Sequence, residues 1–139
     1  MRLGSISRLT MSLALAVPVL LATGCRGEPS TGAIVVANQD NFRSVVVGSS
    51  RPVLIEFWSN ACEPCKELEP QLASLAQKHR DLLVVKINSE ENQHLAKDLG
   101  VSHVPTVFIF QDGEEKRRKV GNFKPGELAE LVSAYVTSK

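Results

Sequence analysis

The sequence predicts an α/β fold, a central mixed β-sheet flanked by helices on both faces. Three observations lead there. From Ala33 onward, short apolar runs alternate with segments whose apolar residues recur at helical spacing. The run "PVLIEFW" (Pro52 to Trp58) is almost continuously apolar, as a strand covered on both faces requires. Lastly, "TVFIF", "QDG" and "EEKRRKV" read together as a hairpin, which adds antiparallel strands to a parallel alternation.

Taken in order, "AIVVA" (Ala33 to Ala37) is a short strand. "DNFRSVVVGSS" predicts a short helix capped by Asp40 and ending near Gly48. After the buried strand, Leu68, Leu72, Leu75 and Ala76 mark the apolar face of a helix running from Cys62 to His79. Pro70 is expected to kink it, because it removes a backbone donor and crowds the preceding turn. "LLVVKIN" is the next strand, "ENQHLAKDLG" a helix ended by Gly100, and "KPGELAELVSAYV" a closing helix after the hairpin.

The chain of 139 residues, 43% of them hydrophobic, is long enough for one domain with its own core. A net charge of +1 gives no argument for a nucleic-acid partner, and the run "EEKRRK" (Glu114 to Lys119), two acids followed by four bases, reads as a solvated hairpin. Residues 1–24 read as an export signal: Arg2 and Arg8 precede an apolar stretch too short for a comfortable membrane span. A retained anchor helix is the rival reading. Removing the signal takes two arginines from 16 basic residues against 15 acidic ones, leaving a charge of −1. "LATGC" resembles the lipobox of bacterial lipoproteins, with Leu21 one position further out than usual. The resemblance implies a lipid on Cys25, a tether over residues 25–32 and a domain over 33–139, held at the extracytoplasmic side of a bacterial envelope membrane. An ordinary cleaved signal with a spare thiol is the alternative.

Cys62 and Cys65 stand three apart in "WSNACEPCKELEP". A structural zinc site needs four Cys or His ligands, and neither a second cysteine pair nor a paired histidine spacing exists, so no metal is expected. A purely structural disulfide would close too small a loop to constrain the unfolded chain much. Position favours redox chemistry. A strand ends at Trp58 and a helix begins at Cys62, where free N–H groups and the helix dipole stabilise a thiolate. Cys65, one turn on, is expected to lie deeper.

"IEFWSNACEPCK" resembles the active site of the thioredoxin family. "HVPT" (His103 to Thr106) resembles that family's cis-proline loop, "KVG" (Lys119 to Gly121) its turn before the last helix, and Lys86 its strand lysine. The resemblance covers about residues 33 to 137 and implies the thioredoxin fold. It also implies that Cys62 attacks a substrate disulfide and Cys65 resolves the mixed disulfide, with no cofactor beyond the Cys62–Cys65 disulfide itself. Pro64 fixes the helix start. Glu56 carries the proton of the inner cysteine, partnered by Lys86; an edge-strand glutamate facing solvent is the bland alternative. Val104 and Pro105 receive the substrate backbone, and Trp58 packs under the active loop. His103 is either a surface histidine or a nearby tuner.

Ala61 and Glu63 depart from the family's usual Trp-Cys-Gly-Pro-Cys. The carboxylate of Glu63 beside Cys62 disfavours the thiolate and points toward a reductant. The expected protein is a monomeric, membrane-tethered thiol–disulfide oxidoreductase acting on disulfide-containing proteins and recharged by a membrane thiol donor. A disulfide-forming oxidant and a non-catalytic binding module are the competing functions.

Overall fold

The computed structural model describes residues 32–137; the expected signal, Cys25 and nearly all of the tether lie outside the described residues. Strands β1 (Ile34–Val36), β2 (Val53–Trp58), β3 (Leu83–Asn88), β4 (Thr106–Gln111) and β5 (Glu114–Val120) form one sheet in the order β1-β3-β2-β4-β5. β1, β3 and β2 are parallel, with Ile34 beside Val84 and Val84 beside Leu54. β4 runs antiparallel to β2, Phe57 pairing with Thr106, and β5 runs antiparallel to β4. The helices are α1 (Glu63–Lys78), α2 (Gln93–Asp98) and α3 (Glu127–Ser133).

Because side chains alternate across a strand, each central strand feeds two cores. Val53, Ile55, Phe57, Val85 and Ile87 join Phe42, Val46, Ala96 and Phe108 on one face. Leu54, Val84, Val107 and Ile109 meet Leu68, Leu72 and Leu75 of α1 and Leu128 and Val132 of α3 on the other. Each fully buried side chain of this size contributes roughly 1.5–3 kcal/mol. Glu56 and Lys86 occupy the same alternation as Leu54 and Val84, so the sheet directs both toward α1. That parity places the site.

One local expectation changes. The segment after β1 forms a π-helical turn over Arg43–Val47, and Asp40 does not cap it. The N-cap is Phe42, with no side-chain cap; ahead of the turn, Asn38 Oδ1 accepts the backbone N–H groups of Asp40 at 3.0 Å and Asn41 at 3.1 Å. Because the turn starts later, at Arg43, the Asp40 side chain stays exposed. α1 runs on through Pro70 to Lys78. The hairpin turns on Asp112 (φ 55°) and Gly113 (φ 77°), two left-handed positions that match the twist of the flanking strands. No helix among the described residues is long and apolar enough to cross a membrane.

Candidate active site

β2 ends at Trp58 and α1 begins at Glu63, so the intervening loop delivers Cys62 as the N-cap of α1. Cys62 and Cys65 are joined by a disulfide, S–S 2.03 Å. The backbone N–H of Cys65 donates to Cys62 Sγ at 3.2 Å. In the reduced protein such a donor, at the positive end of a helix dipole, favours the thiolate of Cys62. Pro64 lies in the first turn, where its missing N–H costs nothing. The expected difference in depth is slight in the disulfide form, with Cys62 6% and Cys65 3% exposed. Bonded sulfurs one helical turn apart share one environment.

Glu63 turns its carboxylate to Lys66 at 2.6 Å, both side chains largely exposed, so its field at Cys62 is partly offset and screened. The Val104–Pro105 peptide bond is cis. The loop is tied down from two sides: Thr106 Oγ1 donates to the carbonyl of His103 at 2.6 Å, and Gly121 N–H to that of Pro105 at 2.9 Å. Gly121 has φ +89° and open space where a Cβ would stand, so its backbone conformation is what calls for glycine. His103 is exposed and its Nδ1 meets Ser102 Oγ at 2.9 Å. A hollow of about 620 Å³ lies beside this loop, with Val104, His103, Ser89 and Lys97 in its walls.

The acid lies on β2, the strand that leads into the Cys62 loop. Glu56 sits in the middle of β2 between Lys86 of β3 and Val107 of β4, and it is 0% exposed. The edge-strand alternative is therefore excluded. Both carboxyl oxygens lack a hydrogen bond among the described residues. Lys86 Nζ stands 3.8 Å from Oε2, near enough for attraction but too far for a hydrogen bond. Burial pushes the Glu56 carboxyl up to about 7; Lys86 pulls it down and the negative charge of Glu69 adds to the rise. The sequence reading missed Glu69, whose carboxylate is hydrogen-bonded to Lys86 Nζ. The available signal was helical spacing, since residue 69 lies one turn below Cys65 on the same side of α1.

Trp58 covers this group, with Lys86 Nζ 4.8 Å from its ring centroid, and its buried Nε1 has no hydrogen-bond partner among the described residues. The structure thus gathers Trp58, Cys62, Cys65, Glu56 and Lys86 at one end of the sheet. Val104 and Pro105 belong to the loop that leads into β4, whose first residue pairs with Phe57 at the same end.

The thioredoxin family model matches residues 33–134. The rice chloroplast protein thioredoxin M5 (Oryza sativa subsp. japonica) is 33% identical over 115 residues, covering 82% of this chain and 67% of its own. A solved mutant thioredoxin from Halobacterium salinarum superposes with a TM-score of 0.71 at 34% identity, over 81% of this chain and 99% of its own. A thioredoxin f2 complex with ferredoxin:thioredoxin reductase gives 0.67 at 25% identity, over 76% and 94%. The chain belongs to the thioredoxin family. It is a thiol–disulfide oxidoreductase whose disulfide-capable pair is Cys62 and Cys65.

Proposed function

We propose that this oxidoreductase is tethered to a membrane on the extracytoplasmic side and reduces protein disulfides there. The Cys62 thiolate attacks a substrate disulfide, forming a mixed disulfide and releasing one substrate thiolate. Cys65 gives its proton to the Glu56 carboxylate and attacks Cys62 Sγ. The Cys62–Cys65 disulfide forms, the second substrate sulfur leaves as a thiolate that takes up the proton held by Glu56, and two electrons have passed to the substrate. A membrane thiol donor then restores the dithiol. Lys86 attends the buried acid, Pro64 sets the helix start, Trp58 covers the site, and Val104 and Pro105 receive the substrate backbone.

The observation that carries this reading is the N–H of Cys65 aimed at Cys62 Sγ, with Cys65 lining one cavity with Lys86, whose ammonium stands 3.8 Å from the buried, unbonded Glu56 carboxyl group. Strong oxidants of this chemistry stabilise their reduced thiolate form. Here the carboxylate of Glu63 lies in the residue next to Cys62, which supports the reducing direction. The support for a membrane location is the "LATGC" sequence before Cys25 and the short polar stretch that follows it.

The deciding measurement is the reduction potential of the Cys62–Cys65 couple, with insulin reduction as the activity and Cys62→Ser as control. A potential near or below about −270 mV is expected, and one near about −120 mV would make the protein an oxidant. Insulin reduction no faster than the control would leave a binding module. Separately, Cys25→Ser should move the protein from the membrane fraction to the soluble extract; an unchanged distribution removes the lipid anchor.

A further inference from the structure

Three groups surround the single ammonium of Lys86. Glu69 hydrogen-bonds to it, the Trp58 ring lies 4.8 Å away, and Glu56 Oε2 lies 3.8 Å away. The buried carboxylate is the one with most need of a partner, since neither of its oxygens has a hydrogen bond. It nevertheless has the looser contact. Glu69, on the helix above and 58% exposed, holds the cation. Cys65, Glu69 and Lys86 also line one cavity of about 270 Å³, so the inner cysteine and this ion pair share the same small space.

We propose that Glu69 is a positioning residue: it holds the Lys86 ammonium on the outer side of the site and prevents it from closing onto Glu56. The inference rests on the proton-handling role given to Glu56 above. The consequence is chemical. An ammonium hydrogen-bonded to Glu56 would lock that group as a carboxylate, a good proton acceptor but unable to return a proton to Cys65. Held one step away, Lys86 leaves Glu56 able to exist in either form near neutral pH.

The charged groups that bear on Glu56 come from two elements, Lys86 on β3 and Glu69 on α1; β4 contributes Val107, which does not titrate. Lys66 lines the same cavity but is engaged by Glu63. The exposed charge of Glu69 is itself screened by water, so its hold on the position of Lys86 is the larger effect.

The test follows the Glu56 carboxyl carbon by NMR across a pH titration of the purified oxidised protein, in which the cysteines do not titrate. Glu69→Ala should lower the midpoint by about half a unit or more, because Lys86 turns to Glu56 and a negative charge is lost. Glu67→Ala, at an exposed position on the same helix, controls for the loss of charge alone and should leave it in place. A Glu69→Ala midpoint that stays, rises, or moves no more than in Glu67→Ala overturns the proposal. The acid limb of the insulin-reduction pH profile should move down in step with the midpoint. If the midpoint falls and the profile does not follow, Glu69 still positions Lys86, and the assignment of Glu56 as proton carrier is what fails.

Discussion

Two lysine–glutamate contacts in this domain have opposite electrostatic outcomes. Lys119 and Glu127 join β5 to α3 with both side chains about one-third exposed, and Glu127 also accepts the backbone N–H of Lys124 at 2.9 Å. These bonds hold the Glu127 carboxyl below the usual carboxylate range, the contact with Lys119 counting most. Lys86 and Glu56 pair the same residue types across β2 and β3, yet burial pushes Glu56 up to about 7. The difference lies in what replaces water. Glu127 keeps its solvent and gains two donors, whereas Glu56 loses its solvent and receives no hydrogen bond. A nearby cation does not make a stabilising pair unless it also replaces the lost hydration.

The largest effect that would test this contrast is the stability of Glu56→Gln. The native carboxyl titrates near 7 against 4.5 for the ordinary group. Between those values the folded state holds more protons than the unfolded chain, so the stability of the unmutated protein falls as pH rises. Complete loss amounts to roughly 3 kcal/mol above about pH 7. Glutamine does not ionise, so the variant should gain up to roughly that amount at about pH 8 and almost nothing at about pH 4, read by urea unfolding of the oxidised protein. An equal gain at both values would mean that packing, not charge, separates the two pairs.

The smaller effect has the opposite sign. Glu127→Gln should lose a little stability at neutral pH, because a depressed carboxyl stabilises the fold above its unfolded pKa. That loss should disappear as pH falls through the folded value, since both states are then protonated. A gain at about pH 8, like that of Glu56→Gln, would erase the contrast.

The fold was legible because its signals are local. The apolar run at Pro52 to Trp58, the helical spacing of Leu68, Leu72 and Leu75, and the Asp112–Gly113 turn each report their own element. Glu56 stood out for the same reason, as a carboxylate inside an apolar run. Glu69 did not, because an acid in the first half of an exposed helix face is ordinary there. Only the packing of α1 over β3 brings it to Lys86, 17 positions away. The expected Asp40 cap does not form because the helical turn starts later, at Arg43 behind Phe42, and only the backbone decides which donors face which side chain. The small difference in depth between the cysteines is likewise set by packing around the loop.

The sheet register also fixes which way the domain faces. β1 starts level with the beginning of β2, since Ile34 lies beside Val84 and Val84 beside Leu54, while Cys62 follows the far end of β2. Whatever leads into Ile34 therefore joins at the pole opposite the disulfide, a strand length of about 20 Å away. A domain held to a surface by its leader would carry Cys62 on its outer cap. Its reach toward a partner would then be set by the body of the domain more than by the length of its leash.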